Sequence, residues 1–187
     1  MNSADLYSSD VEKILFHEST ILSRLDEIAW QITQDYRGKP LTAVAVLHGG
    51  MIFMADLLRR VHLPLRIQTI NVASYHGGTT SSGEVTFQSL TMPDIEGQHV
   101  LLLDDILDSG RTLHAIGKRL SEGCGALSVS SCVLLQKRKE RAEEVEADYV
   151  GFEIGDEFVI GYGLDYDGRY RNLPFVGTLK PELVGQG

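Results

Sequence analysis

Three aspartates follow a short apolar run, and a Ser-Gly-Arg-Thr sequence comes directly after them. They are Asp104, Asp105 and Asp108, within VLLLDDILDSGRTL at residues 100–113. A carboxylate at the edge of a core is costly unless another group compensates its charge. The pattern therefore predicts that a bound molecule or a cation occupies the space in front of these side chains.

The residues after the acidic pair have the properties of an anion site. They lie between a predicted strand and a predicted helix, where backbone N–H groups of the first turn lack partners within the helix. Glycine allows close approach of a ligand, and hydroxyl and guanidinium groups add donors. These residues are Asp108, Ser109, Gly110, Arg111 and Thr112. Because carboxylates repel phosphate, Asp104 and Asp105 are expected to face sugar hydroxyls or a metal ion, which suggests a phosphorylated sugar.

Three other interpretations of this segment compete. An apolar strand ending in two aspartates is also typical of a Walker B element, but the chain has no G-x-x-x-x-G-K-[ST] partner sequence. The pairs Gly123/Gly125 and Gly161/Gly163 lack the third glycine of a dinucleotide fingerprint. Capping of the helix by Asp108 or Ser109 is expected at any such turn, but it does not explain the acidic pair.

Predicted strands alternate with predicted helices through the middle of the chain. This pattern is typical of an α/β fold with an open, mainly parallel sheet flanked by helices, in which ligands bind beyond the carboxyl ends of the strands. The unusual stretches His48-Gly49-Gly50, 104–112 and Lys137 fall at those ends. Strands are expected at 13–16, 44–47, 67–73, 100–103, 127–135, 149–152 and 158–162, helices from 21, over 51–60 and over 113–123, and a long polar loop at 74–84.

Bulk composition restricts the class of protein. The chain has 187 residues, 43% hydrophobic content and a net charge of −9, which suits one domain and argues against nucleic-acid or membrane binding. No apolar run reaches the length of a membrane span, and the N-terminus has no signal-peptide core. Cys124 and Cys132 are expected to be reduced thiols of a cytoplasmic protein.

The 100–113 segment resembles, without a gap, the signature of type I phosphoribosyltransferases: four apolar residues, two acidic, two apolar, then Asp-[Ser/Thr]-Gly-x-Thr. Other stretches are similar to the hypoxanthine-guanine branch of that family, namely VLHGG, SYHGGTTSSGEV, LLQKR and the segment from YVGFEIGDEF to RYRNLP. The resemblance covers roughly residues 12–180. It implies a single phosphoribosyltransferase domain over 1–187, with a core at about 38–150 and a small hood from about 1–20 and 151–187.

The resemblance also implies a role for individual residues. Asp108 is implied as the general base, and Asp104, Asp105 and Asp165 as the residues that hold Mg²⁺. The implied purine site contains Lys137, Phe158, Val159 and Asp165, and the implied mobile lid carries Ser74 and Tyr75. The implied phosphoribosyl pyrophosphate site comprises Leu47, His48, Gly49, Asp104, Asp105, Asp108, Ser109, Gly110, Arg111, Thr112 and Arg171.

Lys137 and His48 differ in the charge that they can offer a substrate. Lys137 is a donor without acceptor capacity, so it suits the 6-oxo group of a purine and disfavours the 6-amino group of adenine. His48 stands where many relatives have Lys or Arg, and a neutral imidazole is not a permanent cation.

The expected function is purine salvage: Mg²⁺-dependent transfer of phosphoribosyl from phosphoribosyl pyrophosphate to hypoxanthine or guanine. Its expected partners are these small molecules and further copies of the chain in a homodimer or homotetramer. Two alternatives remain open. One is a regulatory protein that senses phosphoribosyl pyrophosphate, and the other is a transferase with a different acceptor, such as xanthine or a pyrimidine.

Overall fold

A six-stranded sheet forms the centre of the computed structural model, which describes residues 10–74, 85–87, 92–143 and 145–184. The strand order is β4-β3-β2-β5-β6-β7; β4 is antiparallel to its neighbour and the other five strands are parallel. The elements are β1 (Val11–Phe16), α1 (Glu18–Asp35), β2 (Leu41–Leu47), α2 (Gly50–Leu58), β3 (Leu65–Ser74), β4 (Val85–Phe87), β5 (His99–Leu107), α3 (Arg111–Gly123), β6 (Ser128–Lys137), β7 (Tyr149–Ile154), β8 (Val159–Ile160), β9 (Val176–Leu179) and a 3₁₀ turn (Pro181–Leu183).

Helices cover both faces of this sheet. Successive residues of β5 point to opposite faces: Leu101 and Leu103 pack with the buried residues of α1 and α2, whereas Val100 and Leu102 pack with those of α3. The buried positions of α1 are Ile21, Leu25, Ile28, Ala29 and Ile32, which follow the helical spacing of the sequence. The topology confirms the predicted open, mainly parallel α/β sheet.

A second sheet joins the two ends of the described chain. It is antiparallel, with the order β1-β9-β8, and it encloses a small cluster built on Ile160, Leu173, Phe175 and Leu179. The segment between β8 and β9 leaves this sheet and reaches the loop after β2. In this way residues 161–175, which we call the tail of the chain, reach the carboxyl edge of the main sheet.

The predicted end of β5 at residue 103 is wrong. The strand continues to Leu107, because β6 keeps pairing with it through Asp104–Val133 and Leu107–Gln136. The acidic pair is therefore part of the strand and does not follow it. The sequence pattern suggested an earlier end because two charged residues interrupt the apolar run, whereas backbone pairing does not depend on side-chain polarity.

Smaller differences concern short elements. β4 and β9 were not expected, and the strand expected at 158–162 is reduced to Val159–Ile160. β4 and β8 have three and two residues, too few for a periodic pattern. Among the described residues, no helix has the length and apolar character needed to cross a membrane.

Candidate active site

The loop after β2 packs directly against the acidic pair of β5. The peptide bond between Leu47 and His48 is cis, and the His48 side chain is exposed. Gly49 follows, and a Cβ atom at this position would overlap Oδ2 of Asp105. Glycine is therefore required by close approach of the two strand ends, because β2 and β5 are adjacent in the sheet.

The carboxylates of Asp104 and Asp105 lie in a poorly solvated place. Asp104 is buried, and its Oδ1 accepts a hydrogen bond from the backbone N–H of Asp105 at 3.0 Å. Burial, and then the neighbouring charge of Asp105, raise the pKa of Asp104 well above the ordinary value. Burial also raises the pKa of Asp105, and hydrogen bonds from Asp104 and the Ile106 backbone, and then the charge of Arg171, partly offset this rise. Ionisation of the pair is thus costly without a neighbouring cation, and this donor set suits a hard cation or hydroxyl groups.

The loop that joins β5 to α3 leads into a helix N-terminus without a side-chain cap. Gly110 is the N-cap residue with a left-handed φ of 80°, and no side chain caps the helix. The expected capping by Asp108 or Ser109 is therefore absent at this described turn. A Cβ on Gly110 would lie 2.9 Å from the carbonyl oxygen of Glu143. Ser109 is held from the same side, since its carbonyl accepts from the N–H groups of Ala142 at 3.1 Å and Glu143 at 3.3 Å.

Two lysines and two aspartates form a charge cluster beside this loop. Nζ of Lys137, the last residue of β6, lies 3.4 Å from Oδ2 of Asp108 and 3.2 Å from Oδ1 of Asp156. Lys139 forms an ion pair with Oδ1 of Asp108, and its Nζ lies 3.0 Å from Oδ1 of Asp156. Lys137 is the most enclosed member, with a side chain that is 10% exposed.

An exposed aromatic ring lies on the segment that follows Asp156. Phe158 is 45% exposed and contacts Tyr166 edge to face, with ring centroids 5.5 Å apart. Val159, the first residue of β8, is buried. The exposed ring offers a face for stacking, which is unusual for a large apolar side chain next to a buried strand.

Arg171 connects the tail of the chain to the β2 loop. Its guanidinium pairs with Oδ1 of Asp165 at 2.7 Å and donates to the carbonyl of Gly163 at 2.6 Å. Gly163 has φ of 107°, and a Cβ there would overlap the carbonyl oxygen of Gly49. Contacts therefore run from Arg171 through Gly163 and Gly49 to Asp105.

Most residues singled out in the sequence come together at one edge of the sheet. Arg111 is exposed and Thr112 half-buried at the start of α3. Ser74 ends β3, and Tyr75 lies outside the described residues.

Lys139, Asp156 and Gly163 were missed as site residues. The Lys137-Arg138-Lys139 run was visible in the sequence, but it did not tell which of its cations face the site.

The fold and this edge define a class of protein. The model of the phosphoribosyl transferase domain family matches residues 13–167, and the chain belongs to this family. It is 45% identical to hypoxanthine-guanine phosphoribosyltransferase of Staphylococcus aureus strain Mu50, over 94% of this chain and 97% of that protein. The predicted family and the predicted class of enzyme are confirmed.

Solved structures show the same similarity. A crystal structure of hypoxanthine phosphoribosyltransferase from Staphylococcus aureus superposes with a TM-score of 0.90 at 44% identity, covering 98% of each chain. The enzyme from Trypanosoma cruzi in complex with the product IMP gives a TM-score of 0.83 at 42% identity, covering 92% of this chain and 96% of that one.

Proposed function

We propose that this chain is a purine salvage enzyme. It transfers the 5-phosphoribosyl group of phosphoribosyl pyrophosphate to N9 of hypoxanthine or guanine, and it releases pyrophosphate with IMP or GMP. The single observation that carries the proposal is the 3.4 Å separation between Nζ of Lys137 and Oδ2 of Asp108. A 6-oxopurine presents an acceptor, O6, beside a donor, N7–H, on one edge, and this pair of side chains is complementary to that edge.

The purine subsite is proposed to lie between Lys137, Phe158 and Val159. Lys137 donates to O6, Phe158 stacks on the ring, and the Val159 backbone pairs with the ring edge. Exposure of Phe158 supports stacking, because a ring already covered by the core has no free face. Adenine is disfavoured because its 6-amino group presents a donor to the Lys137 ammonium, which is itself only a donor.

The proposed reaction is a displacement at C1′ of the sugar. The N9 lone pair attacks C1′ as the bond from C1′ to the pyrophosphate oxygen breaks, and pyrophosphate leaves with that electron pair. The N7 proton passes to Oδ2 of Asp108, so the purine ends neutral. A positioned base of this kind contributes about 10²- to 10⁴-fold to the rate.

The remaining predicted residues are proposed to hold the sugar donor. Ser109, Gly110, Arg111 and Thr112 bind the 5′-phosphate at the uncapped N-terminus of α3. The pyrophosphate is bound by Leu47, His48 and Gly49 together with Arg171. Asp104 and Asp105 are proposed to face the ribose hydroxyls, and the lid role of Ser74 and Tyr75 stays a prediction, since Tyr75 lies outside the described residues.

Asp104, Asp105 and Asp165 are the residues that we propose to hold Mg²⁺. The fit is supported by the raised pKa values of the acidic pair, since a nearby cation relieves the cost of two buried carboxylates. Within the described residues, no group of three or more His, Cys, Asp or Glu side chains forms a preformed metal site. When bound with the substrate, Mg²⁺ supplies charge neutralisation for the leaving pyrophosphate.

The proposal also covers the domain bounds, the oligomeric state and the cellular location. We propose a single domain over 1–187, with its core at about 38–150 and a hood from about 1–20 and 151–187. A homodimer or homotetramer is supported by the exposed apolar side chains Met51 and Ile67. A cytoplasmic location is supported by two free cysteines, one of them buried.

The experiment is direct. Purified protein, Mg²⁺ and phosphoribosyl pyrophosphate are mixed with hypoxanthine, guanine, xanthine or adenine, and the nucleotide and pyrophosphate formed are measured. IMP and GMP are expected, with little AMP. Absence of product from every 6-oxopurine would overturn the proposal, and preference for xanthine would correct its substrate.

A further inference from the structure

The two lysines at the end of β6 face the same side of the chain. Lys137 ends β6, and Lys139 lies two residues beyond it, in a bend. The contacts agree: Lys137 and Lys139 both reach Asp108 and Asp156, whereas Arg138 pairs with Glu153 at 2.8 Å. Backbone pairing brings these groups together, since Lys137 lies opposite Ile154 and the N–H of Arg138 donates to the Ile154 carbonyl at 2.9 Å.

The two oxygens of the Asp108 carboxylate have different partners. Oδ2 lies 3.4 Å from Nζ of Lys137, and Oδ1 is in an ion pair with Lys139. Hydrogen bonds to Asp108 and then to Asp156 raise the pKa of the Lys139 ammonium, so it remains charged at neutral pH. Isolated surface ion pairs contribute little, but four charges that share partners restrict one another's positions.

A 6-oxopurine would use only part of this cluster. Its O6 takes a hydrogen bond from Lys137, and its N7–H donates to Oδ2 of Asp108. The contact between Lys137 and Asp108 therefore loosens when the base enters. The contact between Lys139 and Oδ1 remains, and it prevents the carboxylate from rotating with Lys137 or turning toward water.

We propose that Lys139 is a positioning residue for Asp108. It holds Oδ1 so that Oδ2 points at N7 of the base, while Asp156 sets the spacing of the two lysines. This inference rests on the proposed function, since it concerns the general base of that reaction. Lys139 pairs with the oxygen of Asp108 that is not assigned to N7, so its removal should reduce turnover and leave the binding of phosphoribosyl pyrophosphate unchanged.

The test compares Lys139→Gln with Arg138→Gln, which removes the same charge from the neighbouring residue on the opposite side. For Lys139→Gln we expect kcat for IMP formation to fall by about tenfold or more, as misplacement of a catalytic group does. The KM for phosphoribosyl pyrophosphate should match that of the control, and Lys139→Arg should recover most of the loss. Thermal melting of each variant checks that the fold is intact.

A double-mutant cycle with Asp108→Asn separates the two possibilities. Residual turnover of each variant is measured with radiolabelled hypoxanthine. If Lys139 acts through Asp108, adding Lys139→Gln to Asp108→Asn causes little further loss. Losses that multiply, a kcat equal to that of Arg138→Gln, or an equal weakening of phosphoribosyl pyrophosphate binding would each overturn the proposal. An inactive wild-type protein would be a different failure, because it would remove the proposed function and this role with it.

Discussion

Nζ of Lys137 lies 3.4 Å from Oδ2 of Asp108, although the first residue ends β6 and the second lies in the loop after β5. The two strands are adjacent and parallel, so their carboxyl ends meet at one edge of the sheet. A donor and an acceptor are thereby placed side by side, in the order in which a 6-oxopurine presents O6 and N7–H.

Substitution of Asp108 by Ala should remove the general base. We expect kcat for IMP formation to fall by about 10²- to 10⁴-fold, because Asp108 is the proposed acceptor of the N7 proton. The side chain is 41% exposed, so the fold should survive, which circular dichroism and thermal melting would check. Turnover close to that of the wild-type protein would remove Asp108 from this role.

Substitution of Lys137 by Ala should weaken the use of 6-oxopurines. A hydrogen bond from a charged donor is worth about 1.5–3 kcal/mol, which corresponds to roughly 10- to 150-fold in kcat/KM for hypoxanthine. The pyrophosphate donor should bind as before, and this separates base recognition from general damage. Unchanged efficiency with hypoxanthine would show that another group reads O6.

Substitution of Gly49 by Ala should disturb the sugar side of the site. The added Cβ would overlap Oδ2 of Asp105, so the carboxylate must move, and the KM for phosphoribosyl pyrophosphate should rise. Gly49 has the ordinary helical φ of −59°, so the backbone accepts alanine, but the overlap itself should lower the free energy of unfolding.

Gly117→Ala is the matched control for Gly49→Ala. Among the described residues, and apart from its chain neighbours and the backbone of α3, no heavy atom lies within 4 Å of the added Cβ, and the residue is in the middle of α3. This variant should keep its activity and gain about 0.5–1 kcal/mol in the free energy of unfolding. Equal KM values for phosphoribosyl pyrophosphate in the two variants would contradict the steric argument.

Substitution of Asp104 by Asn should stabilise the free protein at neutral pH while lowering its activity. Burial raises the pKa of Asp104 well above the ordinary value of an aspartate, about 3.9. Between these two values the folded chain keeps a proton that the unfolded chain has lost, so the free energy of unfolding falls as pH rises. The stability from this carboxyl is complete below the ordinary pKa and is lost as pH rises through the raised one.

Urea denaturation of ligand-free protein at several pH values measures this effect. We expect Asp104→Asn to gain about 0.5–2 kcal/mol at neutral pH, a range common when strained active-site groups are replaced. The gain should disappear in acid, where the wild-type carboxyl is neutral as well. A wild-type protein that is the more stable of the two at neutral pH would contradict the prediction.

The sequence predicted the open sheet and most of its strands and helices, because these elements are long enough to show a periodic pattern of apolar residues. The prediction was wrong where the structure of a segment depends on another segment that is adjacent in the fold but distant in the sequence. Asp104 and Asp105 belong to β5 because β6 pairs beside them, and no pattern within residues 100–107 contains that information. Lys139 resembled a solvated cation until the pairing of β6 with β7 brought it to Asp156 and Asp108.

By itself, the sequence determined the chemistry available to this protein: three carboxylates, a turn with hydroxyl and guanidinium donors before a helix, and a lysine at a strand end. These features depend on residue types at short separations, which local geometry already restricts. Only the tertiary structure decided how those groups face one another. Strand order brought Lys137 to Asp108, and the return of the tail brought Gly163 and Arg171 to Gly49. Contacts between distant segments depend on packing of the whole chain, and the spacing of residues along a sequence does not encode them directly.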